Sequence, residues 1–134
     1  MMAKKDKGGI TLIRVAIVGT GGIAHSHMEA YRQLAGRCEI VALIDIIPGK
    51  ARRFMEEFAL SCDTYERHEA ILPRRDIDLV DVCTPPFVHA SISIDALRSG
   101  KHVVCEKPMA ASLEECDAML MPFKDIIRLI PAEG

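Results

Sequence analysis

Arg14-Val-Ala-Ile-Val-Gly-Thr-Gly-Gly-Ile-Ala24 decides the fold. A short apolar run rich in β-branched residues leads directly into Gly19-x-Gly21-x-x-Ala24, and helix-forming sequence follows without a break. The order is strand, glycine turn, helix. In such a unit the first glycine makes the tight turn and the second lets backbone approach a pyrophosphate. A small third residue lets the helix pack close to the strand, with its N-terminal N–H groups and positive dipole end facing the phosphates. Taken alone the glycine pattern is weakly specific, so the flanking segments must support it.

Working outward, Leu12 to Val18 reads as a central strand buried on both faces, because its apolar character is nearly continuous. A helix is expected from about Gly22 to Ala35, with Ile23, Ala30, Tyr31 and Leu34 towards the sheet and Gly36 as the stop. His25 and His27 near its start read as exposed polar positions rather than catalytic ones. Glu39 to Asp45 is a second strand ending in a carboxylate. Asp45 lies roughly 20 residues beyond Ala24, the distance at which a dinucleotide fold places an acidic residue to bind the adenosine ribose hydroxyls.

The next helix takes Pro48 in its first turn and buries Ala51, Phe54, Met55 and Phe58 at i, i+3, i+4, i+7 spacing. Arg52 or Arg53 could reach a 2′-phosphate, but Asp45 would repel that group, so NAD is favoured over NADP. A short strand at Cys62 to Tyr65 and a short helix at Glu66 to Leu72 follow. Asp78 to Thr84 is the fourth strand, closed by Pro85-Pro86. A helix from about Phe87 to Ser99 stops at Gly100, and His102 to Cys105 is the fifth strand. Ser112-Leu-Glu-Glu115 is a capping box opening a last helix through Leu120.

This alternation predicts an α/β, doubly wound parallel-sheet domain of the Rossmann type over residues 12–121. Residues 1–11 read as a frayed tail and 122–134 as a divergent one. Ligands of such sheets bind at the carboxyl ends of the strands. Gly19 to Ala24, Asp45, Thr84 to His89 and Glu106 to Pro108 all fall there. Four segments scattered in sequence thus converge on one edge.

The remaining composition narrows the function classes. Of 134 residues, 49% are hydrophobic and 27% charged, which is globular, and the formal charge of −2 gives no basic field for nucleic acid or anionic membrane. Lys4, Lys5 and Lys7 precede an apolar stretch too short for a signal peptide or a membrane span, so a cytoplasmic chain is expected. Cys38, Cys62, Cys83, Cys105 and Cys116 are odd in number, widely spaced and lack C-x-x-C. They read as reduced interior thiols, and no metal site is expected. The P-loop fails for want of Gly-Lys-Ser/Thr after Gly19. A methyltransferase would carry an acidic residue at the end of the first strand, where Ile17 and Val18 stand.

Val18-Gly-Thr-Gly-Gly-Ile-Ala24 with His27, Thr84-Pro85-x-x-x-His89, Ala96-Leu97-x-x-Gly100-Lys-His-Val103 and Glu106-Lys107-Pro108 resemble the glucose-fructose oxidoreductase, inositol dehydrogenase and MocA family. The similarity runs through roughly residues 12 to 120, and its Gly-Lys-His-Val to Glu-Lys-Pro run is far more specific than the glycine turn. The resemblance implies an N-terminal Rossmann domain that binds NAD(H) or NADP(H) for hydride transfer at a hydroxyl-bearing carbon of a sugar, inositol or related compound. By the same resemblance, Gly19, Thr20, Gly21, Gly22 and Ile23 would hold the pyrophosphate and Asp45 the ribose. Thr84, Pro85 and His89 would line the cofactor cleft. Glu106 and Lys107 would reach the nicotinamide end and the substrate, where the Lys107 ammonium could hydrogen-bond the reacting oxygen or assist a proton relay.

The sequence departs from the family pattern in three places. Pro86 stands where a polar residue such as Asn is common, the resemblance fades after Met119, and the family's substrate-binding second domain has no counterpart in these residues. The chain is therefore expected to bind the dinucleotide, but to act on a small polyol or sugar only when a second domain is supplied. The alternative is a non-catalytic dinucleotide-binding module acting with a partner. Homo-oligomerisation stays open.

Overall fold

The structure, a computed structural model, describes Lys4–Lys5 and residues 11–121; the expected tail over 122–134 and most of residues 1–11 lie outside the described residues. The central strand is β2 (Thr11–Val18), with β1 (Lys4–Lys5) paired antiparallel to its first residues. That pairing places a short strand inside the segment expected to be a tail. The other strands are β3 (Cys38–Ile44), β4 (Asp63–Tyr65), β5 (Leu79–Val82) and β6 (His102–Cys105). Their order is β4-β3-β2-β5-β6, and every pairing in that path is parallel. The chain leaves β2 for β3 on one side and later returns to place β5 on the other. The edge between β3 and β5, above the end of β2, is therefore the point where the winding reverses.

Two separate cores explain why β2 reads as continuously apolar. Val15 and Ile17 point into one, with Ala24 and Met28 of α1 (Gly22–Gln33) and with Ala51 and Phe54 of α2 (Lys50–Glu57). Ala16 and Val18 point into the other, with Ile92 and Ala96 of α3 (His89–Arg98). Both faces of a parallel sheet are covered, so alternate residues have no solvent side to become polar on. Fully burying side chains such as Ile17 or Leu43 contributes roughly 1.5–3 kcal/mol each. β3 carries one irregularity, a register shift opposite Val15/Ala16. The extra residue is Val41, which packs with Ala42 in the second core although Ile40 belongs to the first.

The expected element order holds, with shorter ends. The expected Glu66–Leu72 helix is a single 3-10 turn, His68–Ile71, and another such turn, Pro86–Val88, precedes α3. The Ser112 hydroxyl accepts the Glu115 N–H at 3.2 Å, so the capping box opens α4 (Leu113–Leu120), which packs beside α3. The buried face of α1 differs from the expected one. Ala30 is exposed, as are Ile23 and Leu34, whereas Ala24, Met28 and half-buried His27 and Tyr31 face the sheet. Hydrophobicity alone picked the wrong stripe because the true one includes a histidine and a tyrosine that meet a buried carboxylate.

Candidate dinucleotide site

Parallel pairing carries straight into the loops. Gly19 N–H donates to the Ile44 carbonyl at 2.7 Å, and Cys83 N–H donates to the Val18 carbonyl at 2.8 Å. The ends of β3, β2 and β5 are thereby held level, and beyond them opens a cavity of about 480 Å³, within the range of about 300–1,000 Å³ for small-molecule sites. Gly19, Thr20, Gly21, Asp45, Thr84 and Pro85 all line it. Sequence reading did not pick out Ile46, Ile47, Lys50, His68 or Phe87, which also line it. Of these, Ile46 and Phe87 are 82% and 72% exposed, a signal visible only once the strand ends are known.

The glycines divide their work. A methyl group on Gly19 would stand 2.8 Å from the Cys83 carbonyl carbon and oxygen, and its φ is +93°, so this turn needs glycine for its own packing. At Gly21 and Gly22 a methyl would meet nothing within 4 Å. Gly21 is also the N-cap of α1, no side chain caps that end, and its first turn holds no acidic residue. The first N–H groups of α1 and the positive end of its dipole thus face open space. Buried Thr84 Oγ1 has no hydrogen-bond partner among the described residues, a deficit that a ligand hydroxyl or phosphate oxygen would fill. These features fit a dinucleotide: Gly21 and Gly22 with the helix end for pyrophosphate, Asp45 for ribose, and Thr84 as a spare hydrogen-bonding group.

Asp45 is 8% exposed. Its Oδ2 accepts the Thr20 N–H at 2.9 Å and the Thr20 hydroxyl at 2.8 Å, and its Oδ1 accepts the Ile47 N–H at 3.0 Å. Lys50 Nζ stands 4.0 Å from Oδ2. Burial on its own would raise the Asp45 pKa, but the Ile47 and Thr20 hydrogen bonds outweigh it and hold the carboxyl below the usual range.

Gly22, Ile23, His89, Glu106 and Lys107 stand outside the cavity lining. Ile23 is 42% exposed, and His89 is 1% exposed, behind the wall. The His89 ring nitrogens lie 2.8 Å from the Pro108 carbonyl oxygen and 2.6 Å from that of Thr84. Lys107 is exposed on the loop after β6, and the Lys107–Pro108 peptide bond is cis.

A second polar cluster, absent from the sequence expectations, lies beneath the cavity. Asp81 points from the middle of β5 towards α1 and is fully buried. Its Oδ2 meets His27 Nδ1 at 2.7 Å and the Tyr31 hydroxyl at 2.7 Å, while Cys83 Sγ lies 3.4 Å from Oδ1 and 3.3 Å from His27 Nδ1. His27 Nε2 meets Glu106 Oε1 at 3.1 Å. Burial, then the Asp81 charge, pushes the Tyr31 hydroxyl well above its ordinary pKa, and the Cys83 thiol rises for the same two reasons. Burial would lower the His27 pKa, but Asp81 and then Glu106 outweigh it and raise it. His27, Asp81 and Cys83 are a ligand-type trio. The 2.7 Å between Nδ1 and Oδ2 is nevertheless a hydrogen-bond distance, since two ligands about 2.0 Å from a tetrahedral zinc stand about 3.3 Å apart. In this structure the trio is joined by hydrogen bonds.

A parallel α/β sheet with a glycine turn, a strand-end acid and a cavity at its reversal point defines a dinucleotide-binding Rossmann domain. The model of the oxidoreductase family with an NAD-binding Rossmann fold, the glucose-fructose oxidoreductase, inositol dehydrogenase and MocA group, matches residues 13–125, and the chain belongs to that family. It is 33% identical over 104 residues to an inositol 2-dehydrogenase/D-chiro-inositol 3-dehydrogenase of Lactiplantibacillus plantarum, covering 77% of this chain and 29% of that protein. It is 27% identical over 108 residues to an inositol 2-dehydrogenase of Salmonella typhimurium, covering 81% and 32%. Among solved structures, a levoglucosan dehydrogenase in complex with NADH superposes with a TM-score of 0.80 at 29% identity, over 86% of this chain and 32% of that one. The myo-inositol dehydrogenase of Lactobacillus casei, in complex with NAD(H) and myo-inositol, gives 0.79 at 27% identity, over 84% and 33%. The chain spans about a third of the length of these relatives and carries the family's NAD-binding domain. Among the described residues, no helix is long and apolar enough to cross a membrane.

Proposed function

We propose that this chain binds NAD(H) in the cavity above β2 and supplies the cofactor half of an oxidoreductase acting at a hydroxyl-bearing carbon of a sugar, inositol or related polyol. The observation that carries the reading is the convergence of Gly19, Gly21, Asp45 and Thr84 on one cavity, with open space over the helix end and a Thr84 hydroxyl left unpaired. When bound, the nicotinamide supplies the hydride acceptor or donor. The chain's own residues bind and orient: backbone N–H groups at the start of α1 hold pyrophosphate, and Asp45 accepts from a ribose hydroxyl. Asp45 is anionic and nearly enclosed, so a 2′-phosphate is repelled and NADH is preferred over NADPH. Lys107 Nζ, exposed at the end of β6, hydrogen-bonds the reacting oxygen and stabilises charge developing there.

The described residues leave the far side of the substrate without a holder, and hydride transfer needs the reacting carbon fixed close to the nicotinamide. Turnover by these 134 residues on their own is therefore expected to be absent. The relatives act on inositols or bind levoglucosan, which makes cyclic polyols the first substrates to try. Fluorescence titration with NADH and NADPH, followed by an assay with NAD and myo-inositol, tests both parts. Saturable NADH binding without turnover is the expected result. Absence of NADH binding would overturn the cofactor reading, and steady turnover would overturn the half-site reading.

A further inference from the structure

Lys107 sits on a loop beyond an edge strand, an unpromising place for a group that must be aimed at a reacting atom. The neighbours on either side of it are nonetheless tied down, each by an imidazole, and the two imidazoles come from opposite faces of the sheet. On the α1 face, His27 Nε2 binds Glu106 Oε1 at 3.1 Å, while its Nδ1 is fixed by fully buried Asp81 at 2.7 Å. On the α3 face, the His89 ring is wedged between two carbonyl oxygens, with Nδ1 2.8 Å from that of Pro108 and Nε2 2.6 Å from that of Thr84. Each bridge has its other foot on the cofactor side. His27 belongs to the helix that starts at the glycine turn, and Thr84 lines the cavity.

We infer that His27 and His89 are positioning residues, a pair of imidazole clamps that fix Glu106 and Pro108 and so set where Lys107 stands relative to the dinucleotide cradle. The inference rests on the reading of Lys107 as the group at the nicotinamide end. Neither histidine lines the cavity, so neither is assigned a contact with cofactor or substrate. The physical need is plain: a reactive group must be held to about half an ångström, and a misplacement of about 1 Å can cost two orders of magnitude in rate. An exposed lysine on a loop has no such precision without supports of this kind. His27 must donate from both nitrogens to serve two carboxylates at once. The groups facing it are Tyr31, Asp81, Cys83 and Glu106.

The test uses the full chain with its lysines reductively methylated with ¹³C, and the Lys107 resonance assigned by its loss in Lys107→Arg. His27→Gln and His89→Gln are each expected to shift the Lys107 resonance. The resonance of Lys50, on the opposite side of the cavity, should stay in place, and NADH affinity should be retained. An unmoved Lys107 resonance in both variants overturns the inference, and so does a Lys50 resonance that moves with it, which would mean general loosening. Should His27→Gln fail to fold, Glu106→Ala, which removes the acceptor, releases the same clamp from its more exposed end and must shift Lys107. If wild-type chain binds no NADH, the cofactor reading falls, while the Lys107 resonance still decides the clamps.

Discussion

Asp45 Oδ2 accepts hydrogen bonds from both the backbone N–H and the hydroxyl of Thr20, at 2.9 and 2.8 Å. The carboxylate whose spacing points to a ribose is therefore also a brace for the glycine turn. A carboxylate offers about four acceptor sites, and the Thr20 and Ile47 bonds occupy three of them. The end of β3 is thus coupled to the start of α1, which joins the proposed ribose and pyrophosphate positions.

Asp45→Asn is expected to weaken NADH binding by about 1–3 kcal/mol, as for loss of a charged hydrogen-bond partner. Thr20→Val keeps the backbone bond and should cost less. Because the two side chains share a bond, the double variant should show coupling rather than simple addition. Calorimetric titration of the four proteins gives the cycle, and an unchanged NADH affinity in Asp45→Asn would refute the ribose role.

Gly19→Ala and Gly21→Ala separate folding from binding. At Gly19 the new methyl collides with the Cys83 backbone at 2.8 Å in a left-handed conformation, so a stability loss of at least about 1–3 kcal/mol is expected. At Gly21 the methyl meets nothing within 4 Å, and the melting temperature should hold while NADH affinity falls. Thermal melts paired with NADH titrations check both. If Gly21→Ala binds NADH like the wild type, the open space above it is not the phosphate cradle.

Much of this site is legible in the sequence because backbone chemistry writes it. Gly19 and Gly21 are dictated by close approach and open space, Asp45 by a strand length plus a helix length, and the α/β alternation by the lengths of the apolar runs. The His27, Tyr31, Asp81 and Glu106 cluster was not legible. Its members are far apart in sequence, and Asp81 sits within Val80-Asp81-Val82, where period-two reading gives a half-exposed strand rather than a buried carboxylate. A polar residue in a strand covered on both faces calls for a partner on the facing helix. That partner is His27, which also places the buried stripe of α1.

Lys107→Ala should leave NADH affinity close to that of wild type, because Lys107 is assigned to the reacting oxygen of the substrate rather than to the cofactor. Lys107 is exposed and stands outside the cavity lining. A large loss of NADH affinity in a fluorescence titration would make it a cofactor anchor instead of a group that meets the substrate.

At the opposite end of the sheet, Asp78 accepts three bonds from Arg14: the backbone N–H at 2.9 Å, Nε at 3.0 Å and Nη2 at 3.1 Å. Burial would raise the Asp78 pKa, but the Arg14 bonds outweigh it and lower the value. A carboxyl depressed in the folded state contributes stability that is present above its unfolded pKa and is lost as pH falls through its folded pKa. Asp78→Asn should cost about 1.5–3 kcal/mol near neutral pH, and urea titrations should show that difference shrinking in acid. A pH-independent difference would mean that Asp78 acts through packing alone.

His27 gives the opposite sign. Burial acts to lower its pKa, but Asp81 and Glu106 prevail and the folded-state value lies above the ordinary 6.5. Its contribution to stability is therefore complete below the unfolded pKa and is lost as pH rises through the folded one. Comparison with His27→Gln isolates this from His25, whose pKa is also raised, by its bonds to the Gly21 carbonyl and Glu57, and which is present in both proteins. The stability gap between wild type and variant should be widest below the unfolded pKa and should narrow as pH rises through the raised folded one, as the imidazolium loses the proton that lets it serve two carboxylates. Urea unfolding at several pH values measures the gap directly. A gap that widened with pH would place a neutral ring between Asp81 and Glu106, and the bridge from α1 to the Lys107 loop would then rest on one hydrogen bond instead of two.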